Sequence, residues 1–277
     1  MDTPENLKEL VREKYSQIAL QDRTTNATSC CGATGCGEPV YNIMAEDYAT
    51  EAGYVPEADL GLGCGIPTQH AGIEPGMTVL DLGSGAGNDV FVARQLVGPN
   101  GKVLGVDFTP AMVAKARQNA DTLGYNNVEF REGDIEHLPI GGGTIDTVVS
   151  NCVLNLVPNK AQAFAEIFRV LKPGGHFCIS DIVLVGELPA AIRQAAEFYA
   201  GCVSGAQQEA DYLAIVREAG FDGLEVRVRR EIHIPDAILA EVLDGPALQA
   251  FRSSGTGIFS ITLRATKPKA CCGPDCC

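Results

Sequence analysis

The chain lacks most of what a metal hydrolase, a nucleic-acid binder or a membrane protein would need. None of its 11 cysteines form a C-x-x-C pair, which counts against zinc ribbons and thioredoxin-like centres. Only 4 histidines occur, and H-E-x-x-H is absent. Positive charge is scarce: 21 Lys and Arg against 35 Asp and Glu leave a net charge of −14. Nothing therefore supplies the phosphate-neutralising footprint of a nucleic-acid protein. The one local basic group, Arg227, Arg229 and Arg230, reads as the solvated face of a strand. No apolar run approaches the roughly 18 residues that a membrane span needs. The opening M-D-T-P-E-N-L-K-E-L is charged and amphipathic, without the apolar core of a signal peptide. A cytoplasmic protein with no membrane and no nucleic-acid partner is expected, and no internal repeat is visible.

In such a compartment cysteines stay reduced, and an odd number argues against a static disulfide framework. The thiols are then expected to work as ligands or redox groups. Their distribution is uneven: Cys30, Cys31 and Cys36 lie in a polar, glycine-containing loop over about 21–40, and Cys64 lies between glycines in L-G-L-G-C-G-I-P. Cys152 and Cys202 follow, Cys178 sits inside an apolar strand where it reads as core, and a C-C-G-P-D-C-C tail ends the chain. That tail is short and turn-forming; delivery or storage of a thiol ligand and a dispensable role are weighed equally.

With 277 residues the chain can build one large α/β core and a smaller unit. Thr3 as N-cap with Pro4 at the first helical position opens a helix. Its apolar positions Leu7, Leu10, Val11, Tyr15 and Ile18 recur near the helical period. From about 72 strands and helices alternate: strands at 78–81, 103–107, 128–131, 145–150 and 176–182, helices near 88–97, 110–122 (Thr109 cap) and 160–171. This pattern predicts a mainly parallel sheet with right-handed crossovers. Pro173–Gly175 is read as the break between the last of these helices and its strand. Further helices are expected at roughly 190–200 and 207–219. The alternating stretches from Leu224 and Ile258 look antiparallel, as a small sheet of their own. The expected division is an N-terminal helix and cysteine loops over 1–71, a cofactor domain over 72–185, an α+β unit over 186–268 and the tail over 269–277.

The chemistry concentrates on T-V-L-D-L-G-S-G-A-G-N-D, from Thr78 to Asp89. A short apolar strand ends in an acid and breaks into a glycine turn before a helix, the place where open α/β sheets bind ligands. The dinucleotide fingerprint G-x-G-x-x-G/A fails, because the third glycine position is Asn88. Acids instead close successive strands: Asp81, then Asp107 in V-L-G-V-D, then Asp134 in E-G-D-I-E-H-L-P, with Asn151 ending a fourth. With V-L-K-P-G-G near 170, this order of motifs resembles the class I S-adenosylmethionine-dependent methyltransferases over about 72–182 and implies their Rossmann-like α/β sheet, helices on both faces. Asp81, Gly83, Ser84 and Gly85 would face the methionine half of the cofactor and Asp107 the ribose hydroxyls. Asp134 would take the adenine amino group with Ile135 packed on the ring, and Glu136 and Asn151 complete the expected set.

No convincing general-base motif is present. G-L-G-C-G, S-N-C-V-L-N-L and G-C-V-S-G-A, with the N-terminal thiol loop, resemble the arsenite S-adenosylmethionine methyltransferases over nearly the whole chain. The resemblance implies that Cys64, Cys152 and Cys202 bind trivalent arsenic, a soft centre suited to thiolates. It also implies a fourth, redox-active cysteine in the N-terminal loop; Cys30 and Cys31 both qualify, and Cys31 is taken here. A transient Cys31–Cys64 disulfide would return the two electrons that methylation removes from arsenic. Thioredoxin or glutathione would then reopen it. Two rival readings are a class I methyltransferase for a small organic acceptor and a non-catalytic metalloid-binding or thiol-redox protein.

Overall fold

A computed structural model describes residues 4–21, 47–190, 192, 203, 205–234, 239–240 and 243–269. Thr3, most of the expected loop over 21–40, Cys31, Cys202, nearly all of the expected 190–200 helix and the cysteine tail lie outside the described residues.

Helix α1 (Pro4–Ala19) is followed by a single 3₁₀ turn at Tyr48–Thr50 and a short helix α2 (Pro67–His70). The alternating core then runs β1 (Thr78–Leu82), α3 (Asn88–Val97), β2 (Lys102–Asp107), α4 (Pro110–Leu123), β3 (Val128–Glu132), β4 (Ile145–Asn151), α5 (Lys160–Val170) and β5 (Leu171–Val185). Helix α6 (Glu209–Glu218), β6 (Asp222–Glu231), α7 (Gly245–Ser253) and β7 (Gly257–Thr266) complete the order. All strands belong to one seven-stranded sheet in the order β3-β2-β1-β4-β5-β7-β6. Strands β1 to β5 pair in parallel, whereas β7 runs antiparallel between β5 and β6.

Two expectations do not hold. The stretches from Leu224 and Ile258 do not form a separate sheet; they extend the main one, because β7 pairs along β5 from His176 to Val185. Their antiparallel alternation is local, but their partner is distant in the chain. Pro173–Gly175 does not break the helix either. Helix α5 already ends at Val170, and these residues lie inside β5, where the β4–β5 register shifts between Ile145 and Thr147.

Strand alternation sends side chains into two cores. Leu80, Leu82, Leu104, Val106, Val148 and Phe177 meet α5 and α6 on one face. Val79, Val103, Val149 and Cys178 meet α3 and α4 on the other. Each large aliphatic side chain removed from water in these layers contributes about 1.5–3 kcal/mol before entropy is counted. Strand β5 outruns β4, and its extension (Ile182, Leu184) builds a third apolar cluster with Ile232, Ile258, Cys64 and Cys152. The strand order reverses between β1 and β4, which makes the crevice at their carboxyl ends the topological switch point.

Candidate active site

At the end of β1 the chain turns through Gly83 and Gly85, both at positive φ (67° and 51°). A side chain at Gly83 would land inside Val153, whereas one at Gly85 would meet only open space. The turn hangs on β2: Gly83 N and Ser84 N donate to Val106 O at 2.8 and 3.1 Å. Asp107, at the end of β2, accepts from Gly85 N (2.9 Å) and Thr109 N (2.8 Å). Thr109 holds the N-cap position of α4 without a side-chain cap bond; its main chain is fixed by Asp107 instead.

Two adjoining cavities share Gly83, Gly85 and Asn151 in their walls and form one cleft. The larger, about 800 Å³ including its open mouth, is lined by Asp107, Asp134, Ile135 and Cys152. The smaller, about 580 Å³, is lined by Asp81, Ser84, Asn88 and Asp89. Asp134 accepts Glu136 N on one oxygen (2.9 Å) and Lys8 Nζ on the other (2.6 Å). Burial alone would raise its carboxyl, but the bonds from Lys8 and Glu136 N outweigh it and hold it below its ordinary value. Glu136 lines neither cavity; its carboxylate is taken up by Asn159 N (2.6 Å) and by Lys8.

The acids carry an electrostatic demand. Asp81 is pushed well above the usual carboxylate range by burial, then by Asp89 and Asp107. Burial pushes Asp89 up to about 6, against bonds from Tyr48 and Asn151 that lower it. Burial likewise raises Asp107, opposed by the bonds from Thr109 and Gly85. Like charges crowded in low dielectric disfavour one another, and a cation placed among them relieves the repulsion. The buried Asn88 Oδ1 has no hydrogen-bond partner and is a further acceptor for a donor in the smaller cavity. The donor set therefore fits a sulfonium and ammonium ligand such as S-adenosylmethionine, and disfavours an anionic pyrophosphate.

The thiol side is built differently. Cys152 follows Asn151 at the end of β4, is buried, and is the one non-glycine residue at positive φ (60°) among those described. Such backbone costs energy and persists where the surroundings over-determine it. Its N–H donates to Ser180 O at 2.8 Å. Cys64 is fully buried and reaches the same apolar cluster from a distant loop. Asn151 clamps that loop: its Oδ1 accepts Cys64 N (3.0 Å) and its Nδ2 donates to Gly65 O (2.7 Å) and Tyr48 Oη (2.7 Å). Ser260 Oγ, from β7, donates to Cys64 O at 2.5 Å. The flanking glycines follow from the close approach, since a Cβ at Gly63 would sit 2.7 Å from Asn151 Nδ2 and one at Gly65 2.5 Å from Ser180 Oγ.

Tyr48 closes the link to the cofactor side by donating to Asp89 at 2.9 Å. Beneath the thiols, Tyr212 donates to Asp181 at 3.1 Å, and its phenol is raised by burial, by Asp181 and by the nearby Cys64 and Cys152. Cys178 is a core residue as expected, its thiol pushed up to about 12 by burial. Cys31 and Cys202 lie outside the described residues. The residues missed in the sequence are Tyr48, Asp89 and Ser260. Asp89 had a signal, as an acid in the first turn after the glycine loop; Tyr48 and Ser260 had none.

A sheet of this order, with an acid-lined crevice at its switch point fitted to a cationic donor, defines a class I methyltransferase. Residues 73–220 match a methyltransferase domain. An arsenite methyltransferase from Halobacterium salinarum is 40% identical over 96% of this chain and 68% of its own length. One from Aquipseudomonas alcaligenes is 34% identical over 86% of this chain and 68% of its own. The crystal structure of an arsenic(III) S-adenosylmethionine methyltransferase from Chlamydomonas reinhardtii superposes with a TM-score of 0.63 at 38% identity, covering 75% of this chain and 68% of that one. The chain belongs to the arsenite methyltransferase family. No helix among the described residues is long and apolar enough to cross a membrane.

Proposed function

We propose that this protein transfers the methyl group of S-adenosylmethionine to trivalent arsenic held by Cys64, Cys152 and Cys202, giving methylated arsenicals. Bound S-adenosylmethionine supplies an electrophilic methyl on a positively charged sulfur. Asp81, Gly83, Ser84 and Gly85 receive its methionine half, Asp107 its ribose, and Asp134 with Ile135 its adenine. Asn151 borders both cavities and holds the Cys64 loop against the end of β4, which couples cofactor site to thiol site. The observation that carries the reading is Cys152, strained at the switch point, lining the cofactor cleft and sharing an apolar cluster with Cys64.

Loading exchanges each arsenic hydroxyl for a thiol; the thiol proton leaves with the hydroxyl as water. Three sulfurs form a pyramid whose apical lone pair attacks the methyl carbon, so no general base is needed. The protein's task is alignment at about 3–3.5 Å. In that transfer the donor sulfur would keep the electron pair of its carbon–sulfur bond, and arsenic would be formally oxidised by two electrons. Attack of the Cys31 thiolate on the Cys64 sulfur forms a disulfide, breaks the arsenic–sulfur bond and returns that pair to arsenic. A reducing thiol of the thioredoxin or glutathione class then reopens the disulfide. Cys31 and Cys202 enter this scheme through the family resemblance.

Purified protein with arsenite, methyl-labelled cofactor and glutathione is expected to yield labelled methylarsenicals. Cys64→Ser and Cys152→Ser should each abolish the product while cofactor binding, followed calorimetrically, survives. Retention of product in both variants would defeat the ligand assignment.

A further inference from the structure

Helix α1 forms part of the wall of the larger cavity, and its two halves are held in different ways. Lys8, Val11 and Tyr15, spaced along one stripe, line the cavity. The carboxyl end is anchored: Ile18 and Ala19 are buried against α4, and Lys115 from α4 donates to Ala19 O (3.0 Å) and Gln21 O (3.1 Å). Midway, the Arg12 guanidinium lies 4.4 Å from the centre of the Phe108 ring. Among the described side chains of the amino-terminal half no apolar one is buried, and Leu7 and Leu10 are 38% and 62% exposed. Lys8 ties this half to the strand ends, its ammonium joining the carboxylates of Asp134 (2.6 Å) and Glu136.

We propose that Lys8 is a cofactor-retaining residue: α1 is a clasp hinged at its carboxyl end, closed over the adenosine end of the cleft by the Lys8–Asp134–Glu136 contact. This rests on S-adenosylmethionine occupying that cleft. Asp134 Oδ2 bonds Lys8 while Asp134, Lys8, Val11 and Tyr15 all line the cavity, so on the clasp reading a ligand reaches the adenine end between α1 and the strand ends. Opening is then required both for entry and for exit. A plain contact with the ligand would slow only its escape, and a lysine merely competing for Asp134 would slow only its entry. A clasp slows both.

The test measures association and dissociation rates of S-adenosylhomocysteine on the full chain by surface plasmon resonance, in wild type and Lys8→Met. Partly exposed pairs of this kind contribute modestly, so both rates are expected to rise by about fivefold in the variant. Raising salt should bring the wild-type rates toward those of the variant while leaving the variant nearly unchanged, because the contact is screened. Lys8→Arg should keep wild-type rates. Thermal unfolding of Lys8→Met should stay cooperative with Tm lowered by no more than roughly 2–4 °C, which separates the effect from misfolding. Unchanged rates, acceleration of dissociation alone, or acceleration of association alone each overturn the clasp. Failure of the wild-type protein to bind S-adenosylhomocysteine would instead overturn the cofactor reading on which the clasp stands.

Discussion

The cofactor wall and the thiol wall of this cleft are built from opposite materials. The cofactor wall places Asp81, Asp89 and Asp107 in the interior, each raised by burial. The thiol wall has Cys152 lining the cleft and Cys64, which borders neither cavity, in one cluster with Ile182, Leu184, Ile232 and Ile258. The first wall is assembled over short distances, by strand ends and the turns that follow them. The second is assembled across the molecule, with Asn151 and Ser260 reaching Cys64 over 87 and 196 residues of chain. A charged donor needs fixed counter-charges, which strand ends supply cheaply. A soft acceptor with a lone pair needs a dry, rigid thiol cage, which only long-range packing provides.

That contrast can be broken at Asp107, where the largest effect is expected. Asp107→Ala leaves Gly85 N and Thr109 N without their acceptor and removes a counter-charge, so cofactor affinity should fall by about a hundredfold. Arsenite binding, read by fluorescence competition or calorimetry, should change little; equal losses of both ligands would show that the two walls do not act separately. Asn151→Ala tests the opposite wall. Losing the clamp on the Cys64 loop should weaken arsenite binding by about ten- to thirtyfold with a smaller effect on the cofactor. If the cofactor suffers more, Asn151 belongs to the cofactor wall.

A third experiment uses pH. Burial raises Asp181 to about 7, so the folded protein binds a proton there more tightly than the unfolded chain does. Stability should therefore be greatest at low pH for this group, decline as pH rises from near 4 to 7, and level off above. Asp181→Asn should raise Tm at pH 8 and flatten that decline, with a difference of roughly several degrees in calorimetry. A steeper decline in the variant would contradict the burial argument. The smallest effect is expected at Cys178, the core thiol. Cys178→Ala should lower Tm by roughly 2–4 °C, the response to about 1 kcal/mol in a chain of this size. Methylation per folded molecule should be unchanged, in contrast to Cys64 and Cys152.

The elements with strong local signals were legible. The strand read at 78–81 spans Thr78–Leu82 and the helix read at 88–97 spans Asn88–Val97. The failures occurred where the partner was remote or local rules conflicted. The alternation from Ile258 fixed a strand but not its neighbour, so β7 was assigned to a separate sheet instead of beside β5. Pro173–Gly175 carries a breaker signal, yet the chain continues as strand because β5 accommodates the register shift against β4. Asn151, expected as a cofactor residue at a strand end, borders both cavities, and its amide also holds the Cys64 loop and Tyr48, a second task that no local pattern announces.

Sequence alone determined the alternating parallel core, the glycine turn, the strand-end acids and the set of thiols from which a ligand cage could be drawn, because each follows from backbone preference and chemistry within a few residues. Tertiary structure decided which thiols share a cluster. Cys64 and Cys178 are equally buried, yet one faces the cluster beyond β4 and the other the core beneath α3. The reason is the long extension of β5 past β4 and the Asn151 and Ser260 clamps, contacts between residues that no local pattern brings together.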